Sequence, residues 1–346
     1  MICLDMTRRE LLALGTGALV AGVATAALPP VKLGIDLFSI RSSGWTPFQY
    51  LDYAAKQKAT VVHFSEIRFI GNLEPANLKT VRAYAEKLGI EVEIGMRSIC
   101  PTSKMFDAKA GTAEEQVSRM IDSAKLVGSK IVRAVLGSSE DRAGGLERHM
   151  ESLTKVLRNS KAKAQDAGIM IAIENHAGDM QGWELKQVIE AAGKDFVGAC
   201  LDSGNPCWTL ENPHDTLDAL APYVLTSHIR DSAIWKTDEG AAVSWVRMGD
   251  GNVEIDSYVR KYAERCAGKA LSMECIVTGP RMFKYRDAKF WENYRDVPAW
   301  RFQNFANVAE KGKPFTIPPV EKGGGAQRER EDLEASMAHV KTVLGM

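Results

Sequence analysis

The sequence predicts a parallel α/β fold closed into a (β/α)8 barrel, and three observations carry that prediction. After the first thirty residues, short apolar runs alternate with helix-patterned segments, which argues for parallel strands joined by helices. The strand–helix pairs number eight, the count that closes a barrel. Four of the runs end in an acidic or imidazole residue, as expected where successive strands deliver side chains to one rim. The main structural rival is a doubly wound open sheet, but no Gly-x-Gly-x-x-Gly turn follows the first run to support it.

In chain order, the first four strands are expected at Lys32–Ile40, Thr60–Glu66, Glu91–Ile99 and Lys130–Leu136. Helices follow them at Pro47–Lys56, Pro75–Leu88, Ala113–Leu126 and Leu146–Ala167. The next four strands are expected at Ile169–Glu174, Val197–Asp202, Val224–His228 and Ala270–Ile276. Their helices are Trp183–Ala192, Pro213–Ala221, Ile255–Cys266 and Arg330–Leu344. A barrel takes about 250 residues and tolerates insertions, so one domain over residues 31–346 accounts for the mature chain. Hydrophobic content of 45% and charged content of 25% are ordinary for a globular domain. The 44 Lys and Arg balance 44 Asp and Glu, so bulk charge attracts no nucleic acid or other polyanion.

Residues 1–30 read as an export signal. Thr7-Arg8-Arg9-Glu10-Leu11-Leu12 precedes an uncharged Gly- and Ala-rich stretch, and Ala24-Thr25-Ala26 offers a small-residue cleavage site. The paired arginines point to the twin-arginine route, hence to the periplasm. An uncleaved membrane anchor is the alternative, but the Gly and Ala content makes the stretch weakly hydrophobic. After cleavage no stable membrane association is expected. The remaining cysteines, Cys100, Cys200, Cys207, Cys266 and Cys275, are odd in number and lack close metal-type pairing.

The chemistry lies at four strand ends: Glu174 in Ile-Ala-Ile-Glu-Asn-His, Asp202 in Ala-Cys-Leu-Asp-Ser-Gly-Asn, His228 in Leu-Thr-Ser-His-Ile-Arg-Asp and Glu274 in Leu-Ser-Met-Glu-Cys-Ile. A lone carboxylate at a strand end is usually solvated or salt-bridged; four aligned ends reverse those odds. Three oxygen donors and one imidazole suit one divalent ion such as Mn, Mg or Co. Such an ion can stabilise the enolate left when a proton is abstracted beside a carbonyl.

Ile173-Glu174-Asn175-His176, Leu201-Asp202-Ser203-Gly204-Asn205-Pro206 and His228-Ile229-Arg230-Asp231, in that order, resemble the sugar phosphate isomerase/epimerase family of xylose isomerase-like TIM barrels. That group includes ketose 3-epimerases, hydroxypyruvate isomerase, inosose dehydratase and, more distantly, endonuclease IV. Met248-Gly249-Asp250-Gly251-Asn252-Val253 is similar to the family's Gly-x-Gly loop, while Arg230 stands where the family usually has Lys. The resemblance covers about Lys32 to Val277. It implies that Glu174, Asp202, His228 and Glu274 bind one divalent metal, and that Glu174 and Glu274 double as acid and base.

Around the quartet the reading leaves alternatives. His176 binds a substrate hydroxyl or caps a loop, and Arg230 holds a substrate oxygen through its fork or pairs with Asp231. Asn205 and Ser203 contact substrate or shape the turn after the sixth strand. Earlier strands offer Glu66 or His63, Arg97 and Arg133. Strand alternation forbids both His63 and Glu66 in the cleft, and Glu66, nearer the rim, is the expected one.

Between the eighth strand and the last helix lies an insert, residues 278–329, holding Phe283, Tyr285, Phe290, Trp291, Tyr294, Trp300, Phe302 and Phe305. It is either a lid or sugar platform over the catalytic face, or an arm that makes the protein a homo-oligomer. A short helix is expected over Pro298–Glu310, and a flexible link at Gly323-Gly324-Gly325. Endonuclease IV chemistry needs several histidines for three zinc ions, and Asn205 stands where one is required. The expected activity is isomerisation or epimerisation of a ketose or keto sugar. The alternatives are a lyase using the same enolate (dehydratase, decarboxylase or 3-keto-glycoside eliminase) and a non-catalytic sugar-binding barrel.

Overall fold

The computed structural model describes residues 28–319 and 323–346; the expected signal peptide falls almost wholly outside them. Eight parallel strands form the barrel wall: β1 Lys32–Asp36, β2 Val61–Phe64, β3 Glu91–Ser98, β4 Ile131–Val135, β5 Met170–Glu174, β6 Val197–Asp202, β7 Val224–His228 and β10 Ala270–Met273. They run in the order β10-β1-β2-β3-β4-β5-β6-β7. A parallel bridge from Ile229 to Met273 joins β7 to β10 and closes the ring. Ile229 N donates to Ser272 O at 2.7 Å, and Glu274 N to Ile229 O at 3.0 Å.

Helices α1 Pro47–Lys56, α2 Ile67–Ile70, α3 Pro75–Leu88, α4 Ala113–Val127, α5 Glu147–Ala167, α6 Gly182–Ala192, α7 Pro213–Leu220 and α8 Ile255–Arg265 connect these strands. α10, Gly325–Leu344, follows β10 after the insert and packs against the barrel through Leu333, Met337 and Val340. The local code is plain at several starts. Thr46 and Thr112 form capping boxes with Gln49 and Glu115, and Pro47 and Pro75 occupy the first turns of α1 and α3. α10 begins at Gly325, so the third glycine of the expected link is already helical.

Strand alternation positions the site. Ile35, Val62, Ile173, Leu201 and Met273 belong to the main hydrophobic core with the helices. Their neighbours Asp36, His63, Glu174, Asp202 and Glu274 take the opposite face, inside the ring. Ile131, Ala172 and Cys200 form a small separate apolar cluster that floors the barrel. Polar groups therefore converge over an apolar plug.

One expectation about the elements needs correction, and one hairpin was not expected. The first strand ends at Asp36, not Ile40, because the Asp36 carboxylate accepts Phe38 N at 2.6 Å and turns residues 37–40 into a 3-10 segment. Between His228 and the Gly249–Gly251 turn, where no element was expected, β8 Asp231–Thr237 and β9 Gly240–Val246 form a hairpin. β11 Arg281–Phe283, from the insert, adds a third antiparallel strand. The insert's other helix is α9, Ala299–Lys311.

Most of the insert's aromatics pack on one another and on the core. Tyr285, Trp291 and Phe302 meet edge to face at 4.8–4.9 Å, and Phe290 stacks on Tyr294 at 5.0 Å. Phe283, Tyr294 and Phe305 are buried, leaving Trp300 as the large exposed ring. Folding the insert uses the aromatic faces that a sugar platform would need free.

Candidate active site

Glu174, Asp202 and His228 close β5, β6 and β7, and Glu274 is the first residue past β10. Each offers one ligand atom, and the four atoms lie within 4.8 Å of one another. His228 is the pivot. Its Nδ1 lies 3.1 Å from Glu174 Oε2 and 3.3 Å from Glu274 Oε2, yet it is buried without a hydrogen-bond partner among the described residues. Its Nε2 lies 3.1 Å from Asp36 Oδ2 and 2.9 Å from His63 Nδ1. Asp36 is itself held by Phe38 N and by the Ser65 hydroxyl at 3.0 Å. The hydrogen bond with His63 holds the ring, the Asp36 carboxylate stands at ion-pair distance behind it, and the other nitrogen is left facing the carboxylates.

Each carboxylate is braced. Asp202 Oδ1 accepts Gly204 N and Asn205 N, both at 2.7 Å. Glu174 accepts Arg133 Nε at 2.5 Å on one oxygen and Asn205 Nδ2 at 3.1 Å on the other. The Arg230 guanidinium touches both Asp202 and Glu274 and lies 4.3 Å above the Trp245 ring.

The field is strongly uneven. Burial opposes ionisation of Glu174, but Arg133 and His228 outweigh it and hold this carboxyl well below its usual range. Burial wins at Asp202, whose carboxyl is pushed up to about 7 despite Arg230. Burial also disfavours the His228 cation, yet Cys200 and the Asp36, Glu174 and Glu274 carboxylates raise its pKa well above the ordinary value. Proton and metal thus compete for the same acidic pocket. His63 is driven down to about 3 by burial and by His228, and stays neutral.

The donor set fits a divalent ion. Three carboxylates and an unpartnered imidazole nitrogen converge with interatomic spacings that one ion can bridge, a hard-to-borderline set. Two other groupings share His228. The one with Cys200 offers a thiol that burial pushes up to about 12 in the metal-free site, a softer donor than the quartet's carboxylates. The one with Asp36 and His63 sits on the Nε2 side, where it orients the ring.

The flanking residues divide. His176 Nδ1 donates to Gly137 O at 2.7 Å, so its Nε2 carries the lone pair, and burial lowers its pKa. Asn205 orients Glu174, and its own Oδ1 is buried without a partner. Ser203 bonds both backbone atoms of Arg230 and shapes the chain there. Arg230 does not pair with Asp231, which instead accepts Gly249 N and Gly251 N, both at 3.0 Å. Arg97 is exposed at the end of β3, past a register shift between Gly95 and Ser98 that removes it from the inward column of Glu93 and Gly95.

Glu66 requires correction. It caps the start of α2, pairs with Arg68 and makes no bond to the quartet, whereas fully buried His63 abuts His228 at a ring separation of 4.8 Å. The reason is depth: β2 stops at Phe64, so its inward column meets the cluster at residue 63. Asp36 went unnoticed, although Gly-Ile-Asp at the first strand's end carries the same signal as the other four ends.

The residues match the family model of xylose isomerase-like TIM barrels over positions 51–291, and the chain belongs to that family. It is 24% identical to a 3-oxo-isoapionate decarboxylase of Pectobacterium atrosepticum over 237 residues, covering 68% of this chain and 74% of that one. Its fold resembles a crystal structure of D-psicose 3-epimerase in the presence of D-fructose: TM-score 0.57, 17% identity, 91% of this chain and 100% of that one. It also resembles the IOLI protein with a bound zinc atom: TM-score 0.53, 16% identity, 82% and 100% coverage. Two of these three are named as enzymes, a decarboxylase and a sugar epimerase. Among the described residues, no helix is long and apolar enough to cross a membrane.

Proposed function

We propose that the protein is a divalent-metal-dependent isomerase or epimerase of a keto sugar, working through an enediolate. The observation that carries this reading is the convergence of Glu174, Asp202, His228 and Glu274 on the unpartnered Nδ1 of His228. A divalent ion held there supplies Lewis acidity that offsets the enediolate charge. Glu174 and Glu274 come from strands that are not neighbours in the ring, so each can approach a different side of a substrate carbon. One removes a proton and the other returns it. Arg133 keeps Glu174 ionised, as a base must be, and Asn205 turns it. His176 Nε2 accepts a substrate hydroxyl.

A lyase is the second reading, favoured by the decarboxylase relative. The same enediolate then arises by loss of carbon dioxide in place of a proton or, once formed by proton abstraction, collapses by expelling a leaving group from the adjacent carbon. Proton NMR of the metal-loaded protein with keto sugars in deuterated water tests both. Deuterium entering beside the carbonyl supports isomerisation, a shortened or dehydrated product supports the lyase, and no exchange with Mn supplied removes both. Arg8-Arg9 and Ala24-Thr25-Ala26 support export by the twin-arginine route. Absence of the mature protein from the periplasmic fraction would remove that proposal.

A further inference from the structure

The quartet is flanked by a pile of four flat groups. The Arg230 guanidinium lies 4.3 Å over Trp245, Trp245 stacks on Trp208 at 3.9 Å and 8°, and Arg281 lies 4.3 Å over Trp208. The pile runs from the metal ligands, through the hairpin strand β9 and the turn after β6, to the insert strand β11. Arg281 then donates from Nη2 to Ser139 Oγ at 2.7 Å, in the loop after β4. His176 docks on Gly137 O of that same loop, and Ser139 N donates to Ala177 O at 3.1 Å. Arg281 and His176 therefore flank one segment, Gly137 to Ser139, above the ends of β4 and β5.

The charges at this end of the barrel do not cancel. Arg41 has Glu329 at 3.4 Å, Arg68 has Glu66, Arg142 has Glu184 at 2.9 Å, and Arg230 has Asp202 and Glu274. Among the described residues, no carboxylate lies within ion-pair distance of Arg97 or Arg281. Arg97 is exposed and free to turn; Arg281 is half-buried, clamped against indole, with only one of its N–H donors engaged. A guanidinium immobilised by stacking presents its fork without first losing side-chain freedom, which is what bidentate capture of a planar anion requires.

We infer that Arg281, held on Trp208 above the ends of β4 and β5, binds a carboxylate of the substrate, so that the keto sugar this enzyme takes is an oxidised one, a sugar acid. The inference rests on the keto-sugar reading above and names its substrate class. The carboxylate is a handle at the end remote from the metal, not a leaving group. A guanidinium on a leaving carboxylate would stabilise the charge that has to move to the carbonyl. The assignment therefore holds for isomerase and lyase alike.

The test is calorimetric titration of the Mn-loaded mature protein with D-fructose, D-fructuronate and D-fructose 6-phosphate. These share a carbon chain and end in a hydroxyl, a carboxylate or a phosphate. D-fructuronate is expected to bind at least about tenfold tighter than D-fructose, the lower end of what a charge-assisted bond contributes. Arg281→Gln should erase that ratio, with the D-fructose titration of the same variant as the reference. Arg281→Lys keeps the charge without the fork and is the variant to read if the Gln protein does not fold; it should lose most of the ratio. A wild-type ratio near one, a ratio that survives both substitutions, or tighter binding of the phosphate would each overturn the assignment. Deuterium wash-in on the same samples separates the two readings. Carboxylate preference without exchange sinks the enediolate and leaves the handle, and exchange without preference does the reverse.

Discussion

Asp36 and His228 face each other across the barrel interior, with Asp36 Oδ2 3.1 Å from His228 Nε2. Together with His63, whose Nδ1 lies 2.9 Å from the same nitrogen, the contact holds the ring with the opposite nitrogen, Nδ1, toward Glu174 and Glu274. Asp36→Asn keeps the shape but removes the charge behind the imidazole. We expect Mn affinity to fall about 10–100-fold, the range found when a carboxylate behind a metal-bound histidine is lost. Titration of the purified variant with Mn checks this; unchanged affinity would mean that His228 is not oriented by Asp36.

Glu274 contributes to the quartet but, unlike Glu174, takes no backbone or amide brace; its protein contacts are Arg230 and the His228 ring. Glu274→Gln should retain Mn binding at reduced affinity while turnover falls by about 10²–10⁴-fold, the usual contribution of a positioned acid or base. Steady-state kinetics with saturating Mn decides it. Activity within a few-fold of the parent would overturn the acid/base role.

Gly204 stands under Arg230. A Cβ there would come within 2.4 Å of the Arg230 Cγ and Cδ and 3.0 Å of the Trp245 indole nitrogen. Gly204→Ala must displace the guanidinium from the two carboxylates it touches or tilt the indole stack. The expected result is a loss of about 1–3 kcal/mol in stability, typical of overpacking, together with reduced kcat. Urea denaturation and kinetics on one preparation check both; a fully active, equally stable variant would show that the stack is not tightly held.

The barrel was legible because its strands alternate core and interior residues, so runs such as Ile-Ala-Ile-Glu declare both the strand and its polar end. Helices α1 and α3 fall at the expected bounds because Pro47 and Pro75 open them. The β8–β9 hairpin was hidden because its turn, Asp238-Glu239, lacks the Asn-Gly or Asp-Gly signal. β11 has three residues and exists only by pairing with β9. The Trp208–Trp245 stack joins the turn after β6 to strand β9, which the sequence places far apart, and no local pattern announces such a contact. His63 and Glu66 were known to exclude each other, but which of them faced inward depended on where β2 stopped.

Burial raises several carboxyls outside the quartet, Glu93 and Asp179 among them, and Glu211 and Asp231 show how they set a pH dependence. Glu211 accepts Gly182 N at 2.8 Å, the Thr216 hydroxyl at 2.7 Å and Arg301 Nη1 at 2.7 Å, tying α6, α7 and α9 together. Asp231 cradles the Gly249–Gly251 turn. Burial pushes both up to about 7, from ordinary values of 4.5 and 3.8, in spite of these bonds. A folded-state pKa above the unfolded one means that the native state binds more protons between the two values. The stability these groups contribute is therefore complete below about pH 4 and is lost as the pH rises through 7. Asp36 and Glu174, held low, act in the opposite sense, but their contribution is already present by pH 5.5; His63, His149, His176 and His214, whose pKa values burial lowers, oppose the trend only up to about pH 6.5, the ordinary imidazole value. The metal-free protein should melt at a higher temperature at pH 5.5 than at pH 8.5. Glu211→Gln, which mimics the protonated carboxyl, should flatten part of that slope. Scanning calorimetry of both proteins across this range settles the matter: a melting temperature that rises with pH, or a slope untouched by the substitution, would show that Glu211 ionises freely in the folded chain.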